Sequence, residues 1–122
     1  MAKAKITFDT VRQAASGLPE VEVSTSYGSP SLKVRGDMFA CIAVNKSAEP
    51  NSLAIRMDFV ERDALISEQP DVYYLTDHYV DYPCVLVRLN RVHPDALRDL
   101  LGVGWRFVSA RRKQRTKRTK RA

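Results

Sequence analysis

The sequence predicts an α+β fold, a two-layer domain in which an antiparallel sheet packs on helices. Three features point to it. A capped amphipathic segment opens the chain, and short alternating segments follow one another from residue 21 to residue 58 with turn residues between them. A second helical stretch then separates these from one or two more strands and a helical C-terminal region. The expected order is α-β(3-4)-α-β(1-2)-α-α, and 122 residues suit one domain with a modest core.

The elements can be justified in order. In "ITFDTVRQAASGLP", Thr7 is placed to cap a helix, Ile6 and Val11 have the spacing of a hydrophobic staple, and Gly17 and Pro19 stop it. "VEVSTS" (21–26) alternates as a strand. In "SLKVRGDMFACIAV", Gly36-Asp37 predicts a two-residue hairpin turn. With Arg35 opposite Met38, Val34 faces Phe39 and Leu32 faces Cys41 on one side. Lys33 and Arg35 fall on the other, beside Met38, Ala40 and Ile42. "NKSAEPNS" is a loop and "LAIRMD" (53–58) a strand with Arg56 pointing outward. Asp58 and Glu61 have capping-box spacing at the start of "FVERDALISEQ", which Pro70 closes. "VYYL" (72–75) and "CVLVRLN" (84–90) read as strands. Pro94 starts a helix with Leu97, Leu100 and Leu101 inward. Gly102 and Gly104 are expected to break it before a last helix anchored by Trp105 and Val108.

The net charge of +6 is unevenly distributed. Of 20 basic residues, eight lie in 111–122 (Arg111, Arg112, Lys113, Arg115, Lys117, Arg118, Lys120 and Arg121) with no acid among them. That leaves 12 basic against 14 acidic residues in 1–110, a net of −2. The chain therefore divides into a folded body, 1–110, and a basic tail, 111–122, expected to be disordered because it has nothing to bury. No apolar run approaches the ~18 residues of a membrane span, and the first residues lack the apolar core of a signal peptide. The expected location is the cytoplasm, with no membrane association. Cys41 and Cys84 sit in apolar strands without CxxC spacing, which predicts buried thiols and no zinc site.

Two segments carry a family resemblance. "SYGSPSLKVRGDMFACI" resembles the Gly-x-Pro-x-x-Lys-Val-x-Gly-Lys-x-Phe-Ala hairpin of the MmcQ/YjbR family, with Gly28, Pro30, Lys33, Val34, Gly36, Phe39 and Ala40 matching and Asp37 in place of Lys. "DVYYLTDHYVDYPCVLVRL" is similar to the family's later segment. There His78 matches, Tyr79 replaces a Trp, and Thr76-Asp77 replaces Asn-Lys. The resemblance implies a double-wing fold and DNA binding.

The candidate sites follow from charge and chemistry. The tail cations read either as a solubilising or unselected low-complexity extension, or as an arm that releases counterions on neutralising phosphates and binds DNA or RNA without reading sequence. Lys33, Arg35, Arg56 and Arg88 are expected on one face of the sheet, either as a basic stripe along a nucleic-acid backbone or as ordinary solvated strand charges. His78, near Asp77, Asp81, Tyr73, Tyr74, Tyr79 and Tyr82, reads either as a metal ligand or general base, or as a hydrogen-bonded loop histidine. The tyrosines could stack on unpaired bases or roof a small core. No phosphate loop, nucleophile elbow, HExxH or paired-carboxylate pattern is present, so no catalytic residue, cofactor or metal is expected. The sequence thus predicts a non-catalytic, monomeric nucleic-acid binder. The alternatives are an adaptor using the mixed face around Met38, Ala40 and Ile42, and a small ligand- or metal-binding domain at His78.

Overall fold

A computed structural model of the chain describes the backbone of residues 7–26 and 28–121, and the side chains of 7–25 and 28–111. The elements run α1 (Phe8–Ala14), β1 (Val21–Ser26), β2 (Ser29–Val34), β3 (Asp37–Ile42), β4 (Ser52–Arg56), α2 (Phe59–Glu68), β5 (Tyr73–Tyr74), β6 (Cys84–Arg88) and α3 (Pro94–Arg121). The six strands form one antiparallel sheet in the order β1-β2-β3-β4-β6-β5. The α+β class and the two-layer arrangement agree with the sequence reading.

One face of the sheet is covered by helices. Leu32, Val34, Phe39, Ala40, Leu53, Ile55, Val85 and Val87 point to this side and pack with Val11, Leu97, Leu101 and Val108 from α1 and α3. Each fully buried aliphatic or aromatic side chain contributes on the order of 1.5–3 kcal/mol. Asp58 caps α2 as its spacing predicts, its carboxylate accepting from the Glu61 amide at 2.8 Å. Thr7 stands at the cap position of α1 without a side-chain capping bond, and the Ile6 half of the expected staple lies outside the described residues. Trp105 ties α3 to the α1–β1 connection by donating from its indole nitrogen to the Pro19 carbonyl at 2.8 Å.

The β2–β3 hairpin corrects the expected register. The turn is Arg35-Gly36, not Gly36-Asp37, and both residues have positive φ (50° and 86°), the signature of a type I′ turn. Val34 therefore pairs with Asp37 and Lys33 with Met38. A bulge then follows, so that Leu32 faces Ala40 and Ser31 faces Cys41. The extra residue is Phe39, and it lets both Phe39 and Ala40 enter the helix-side core. The mixed face expected around Met38, Ala40 and Ile42 does not exist. Met38 packs on the helix-free side, while Ala40 and Ile42 belong to the helix-side core.

The second correction concerns α3. Gly102 and Gly104 do not break it, and one helix runs from Pro94 to Arg121. Gly104 serves packing instead. A Cβ there would stand 3.0 Å from Ile55 Cγ2, 3.1 Å from the Phe39 carbonyl oxygen and 3.2 Å from the Arg56 carbonyl oxygen. The missing side chain lets the helix axis approach β3 and β4. The helical backbone also continues through 111–121, the segment expected to be disordered. Arg, Lys and Gln are good helix formers, and the run contains neither Gly nor Pro to end the helix.

The two helix glycines should respond oppositely to alanine. Gly102→Ala adds a Cβ that meets only the mobile Arg106 guanidinium, at 3.4 Å, and is expected to stabilise by about 0.5–1 kcal/mol through helix propensity. Gly104→Ala gains the same propensity but must displace two backbone carbonyls, and is expected to destabilise by about 1–2 kcal/mol. Urea unfolding of the two variants checks the difference in sign.

Candidate functional site

The helix-free face of the sheet is roofed only in part. Cys41, Ala54 and Leu86 form its buried centre, flanked by Met38, Ala43, Ala48, Tyr74 and Tyr79. Two loops rise around it, residues 43–51 between β3 and β4 and residues 75–83 between β5 and β6. Between them lies an open concavity of about 740 Å3. Met38, Cys41, Ala54 and Cys84 line it from the strands, Val44, Asn45 and Lys46 from the first loop, and His78, Tyr79 and Tyr82 from the second. Arg56 joins them from the end of β4. None of these lining residues is acidic.

Polar contacts hold both loops in place. The Tyr74 hydroxyl lies 2.6 Å from the Ser52 hydroxyl and accepts from the Glu49 amide at 2.7 Å. Ser47 and Thr76 hydroxyls, 2.8 Å apart, join one loop to the other. Arg88 grips the Glu49 carboxylate with two bonds, at 2.9 and 2.7 Å, donates to the Pro70 carbonyl at 3.1 Å and lies 4.2 Å over the Tyr74 ring. Beneath the second loop, the buried Arg62 of α2 donates to the carbonyls of Val80 (2.9 Å) and Tyr82 (3.2 Å), pairs with Asp63 at 3.0 Å and stacks on Phe59. Sequence reading missed Arg62. Its signal was an arginine in line with Phe59, Leu65 and Ile66 on the inner stripe of a helix, where a charge must find buried acceptors.

Burial pushes the Cys41 thiol up to about 11, the nearby Cys84 adding to the rise and Arg56 opposing it. Burial likewise raises Cys84, against the pull of Arg56 and Arg62. Both cysteines are free and buried, as their apolar strands predict, and at neutral pH both are uncharged thiols. The Tyr79 hydroxyl is also raised, chiefly by desolvation.

The four strand cations do not make a stripe. Lys33, Arg56 and Arg88 share the helix-free face, but Arg35 sits in the turn, paired with Glu20. Arg88 is committed to Glu49, and Lys33 stands across from Glu22. Arg56 pairs in register with Cys84, and Ser52 with Arg88, so the two arginines stand four residues apart along β4–β6, ~13 Å. His78 is exposed at the concavity's rim, edge-on to Tyr79 at 4.8 Å and tilted on Tyr82 at 6.3 Å. Among the described residues, no group of three or more His, Cys, Asp and Glu side chains is placed to hold a metal ion. Gly28 (φ 79°) and Gly36 occupy positive-φ turn positions, and Phe39 is core, so most of the hairpin motif is scaffold. Of the tail cations, Arg111 lies 5.4 Å over the Phe107 ring, and the side chains of Arg112, Lys113, Arg115, Lys117, Arg118, Lys120 and Arg121 fall outside the described residues. No helix among the described residues is long and apolar enough to cross a membrane.

Comparison with known proteins places these features in a family. The YjbR family model matches residues 16–107, which hold the whole sheet, α2 and the first half of α3. Uncharacterised proteins of Mycobacterium tuberculosis and Mycobacterium bovis are 43% identical over 42 residues. That match covers 34% of this chain and only 33% of each relative. The crystal structure of the DUF419-domain protein DR2400 of Deinococcus radiodurans superposes with a TM-score of 0.66. It is 20% identical, over 86% of this chain and 80% of that one, a likeness of fold.

Two measurements test how the loops are held. Arg62→Ala leaves the Val80 and Tyr82 carbonyls without their donor, and is expected to cost about 2–3 kcal/mol in urea unfolding. Arg88, chiefly by hydrogen bonding, holds the Glu49 carboxyl below its ordinary value of 4.5. A lowered carboxyl stabilises the fold above its unfolded value and loses that contribution as pH falls through the lowered one. Hydrogen-exchange protection of the Glu49 amide is therefore expected to hold from about pH 7 to about pH 5 and to fall off on the acid side of 4.5.

Proposed function

The chain belongs to the YjbR family, and from that premise and its charge distribution we propose that it is a non-catalytic nucleic-acid-binding protein. It grips DNA by its phosphates through the basic end of α3. One observation carries this reading. All of the positive excess lies in residues 111–122, eight cations with no acid, on a body of net charge −2. The backbone of that segment continues a helix anchored in the core by Leu97, Leu101 and Val108. The eleven helical residues 111–121 rise ~16 Å, enough to lie along several phosphates. Lys33 adds a weaker contact from the sheet. Arg35 and Arg88 are engaged with Glu20 and Glu49 and contribute little. Phosphate contact of this kind reads charge and not base edges, so affinity should vary little with sequence.

The experiment is duplex-DNA binding as a function of salt. About five phosphate contacts give a log-log slope near −4.5, a loss of several hundred-fold between 50 and 200 mM salt. Changing Arg112, Lys113, Arg115, Lys117 and Arg118 together to Gln keeps the helix and is expected to flatten the slope by several units, leaving the contribution of Arg111, Lys120, Arg121 and Lys33. Absence of DNA binding by the full chain at 50 mM salt, or an unchanged slope in the Gln variant, overturns the reading.

A further inference from the structure

The concavity on the helix-free face has a chemistry that phosphate binding by α3 does not use. We propose that it is a binding site for a small amphipathic aromatic anion, a flat ring system bearing one carboxylate. This goes beyond the nucleic-acid reading and does not depend on it.

Three properties of the lining define the ligand. Its floor is apolar. Cys41, Ala54 and Cys84 are buried, both thiols are uncharged, and no carboxylate lines the space, so a ring entering it loses water without stranding a charge. The rim is aromatic, with His78, Tyr79 and Tyr82 presenting faces and edges to whatever sits between the loops. The third property is Arg56. Among the described residues Arg35, Arg62 and Arg88 are all held by carboxylates or carbonyls, whereas Arg56 makes no ion pair or hydrogen bond. It lines the concavity in register with Cys84, leaving a planar guanidinium whose two parallel donors fit a carboxylate. Arg56 is the lining's single planar fork and suits a planar carboxylate, with the exposed Lys46 adding a second positive charge to the site. The volume, about 740 Å3, is in the range of small-molecule sites.

The test uses 2-naphthoate and its neutral analogue 2-naphthalenemethanol, titrated into the full chain by calorimetry, with amide chemical shifts to locate them. Naphthoate is expected to bind at least tenfold more tightly than the alcohol and to shift the amides of Cys41, Ala54 and Cys84. Arg56→Gln removes no hydrogen bond or ion pair from the fold. It should abolish the acid's advantage while leaving the alcohol unchanged, and should leave the salt dependence of DNA binding as it was. Ala54→Leu, which fills the floor, should weaken both ligands. Equal affinities for acid and alcohol, an acid preference that survives Arg56→Gln, shifts confined to another surface, or no binding at millimolar concentration would each overturn the proposal. A DNA oligonucleotide that displaces naphthoate competitively would also overturn it, by making the concavity part of the nucleic-acid surface.

Discussion

One extra residue in β3 decides which side of the sheet the middle of the domain presents to each layer. With Arg35-Gly36 as the turn and no bulge, strand alternation would send Cys41 toward the helices and Ala40 and Ile42 to the open face. The bulge at Phe39 reverses this. Phe39 and Ala40 both enter the helix-side core, Ile42 follows, and Cys41 moves to the floor of the concavity. Gly104 on α3 then meets the Phe39 carbonyl, so the helix rests on the strand where the bulge reshapes it. The core on one face and the site on the other are two results of the same local irregularity.

Electrostatics on the open face follow from pairing more than from composition. Four cations on β2, the hairpin turn, β4 and β6 look alike in the sequence, yet their surroundings differ. Arg88 is a structural clamp, holding Glu49, the Pro70 carbonyl and the Tyr74 ring together. Arg35 closes on Glu20, a residue that also has positive φ. Only Arg56 faces a space with no counter-charge of its own.

Much of the architecture was legible in the sequence. The cap at Asp58, the stop at Pro70, the start at Pro94 and the strands β1, β4 and β6 each arise from local chemistry, and each appears where that chemistry puts it. What was not legible depended on distant contacts. Gly104 reads as a breaker because its value lies in how closely it lets Ile55 and two carbonyls approach. The bulge was hidden because Gly36 serves equally well as the first or second residue of a tight turn, and only the demand of the core for both Phe39 and Ala40 decides between them. For the site, the sequence singled out His78, the tyrosines and Arg56 individually. It could not show that Arg56 stands with His78 around one hollow while Arg88 does not. Arg62 was passed over because its partners are backbone carbonyls of residues 80 and 82, and carbonyls leave no mark in a sequence.

The way the two loops are fastened bears on how fast the hollow can fill. Their bases are tied to β4, β6 and α2 by Tyr74, Arg88 and Arg62, and to each other through Ser47 and Thr76. Walls already in position give up little freedom when a guest arrives, so occupancy would be governed by collision frequency and by how readily water leaves, not by a slow rearrangement of the chain. Such a vestibule equilibrates with its surroundings promptly, and its degree of filling would track the ambient concentration of the guest moment by moment.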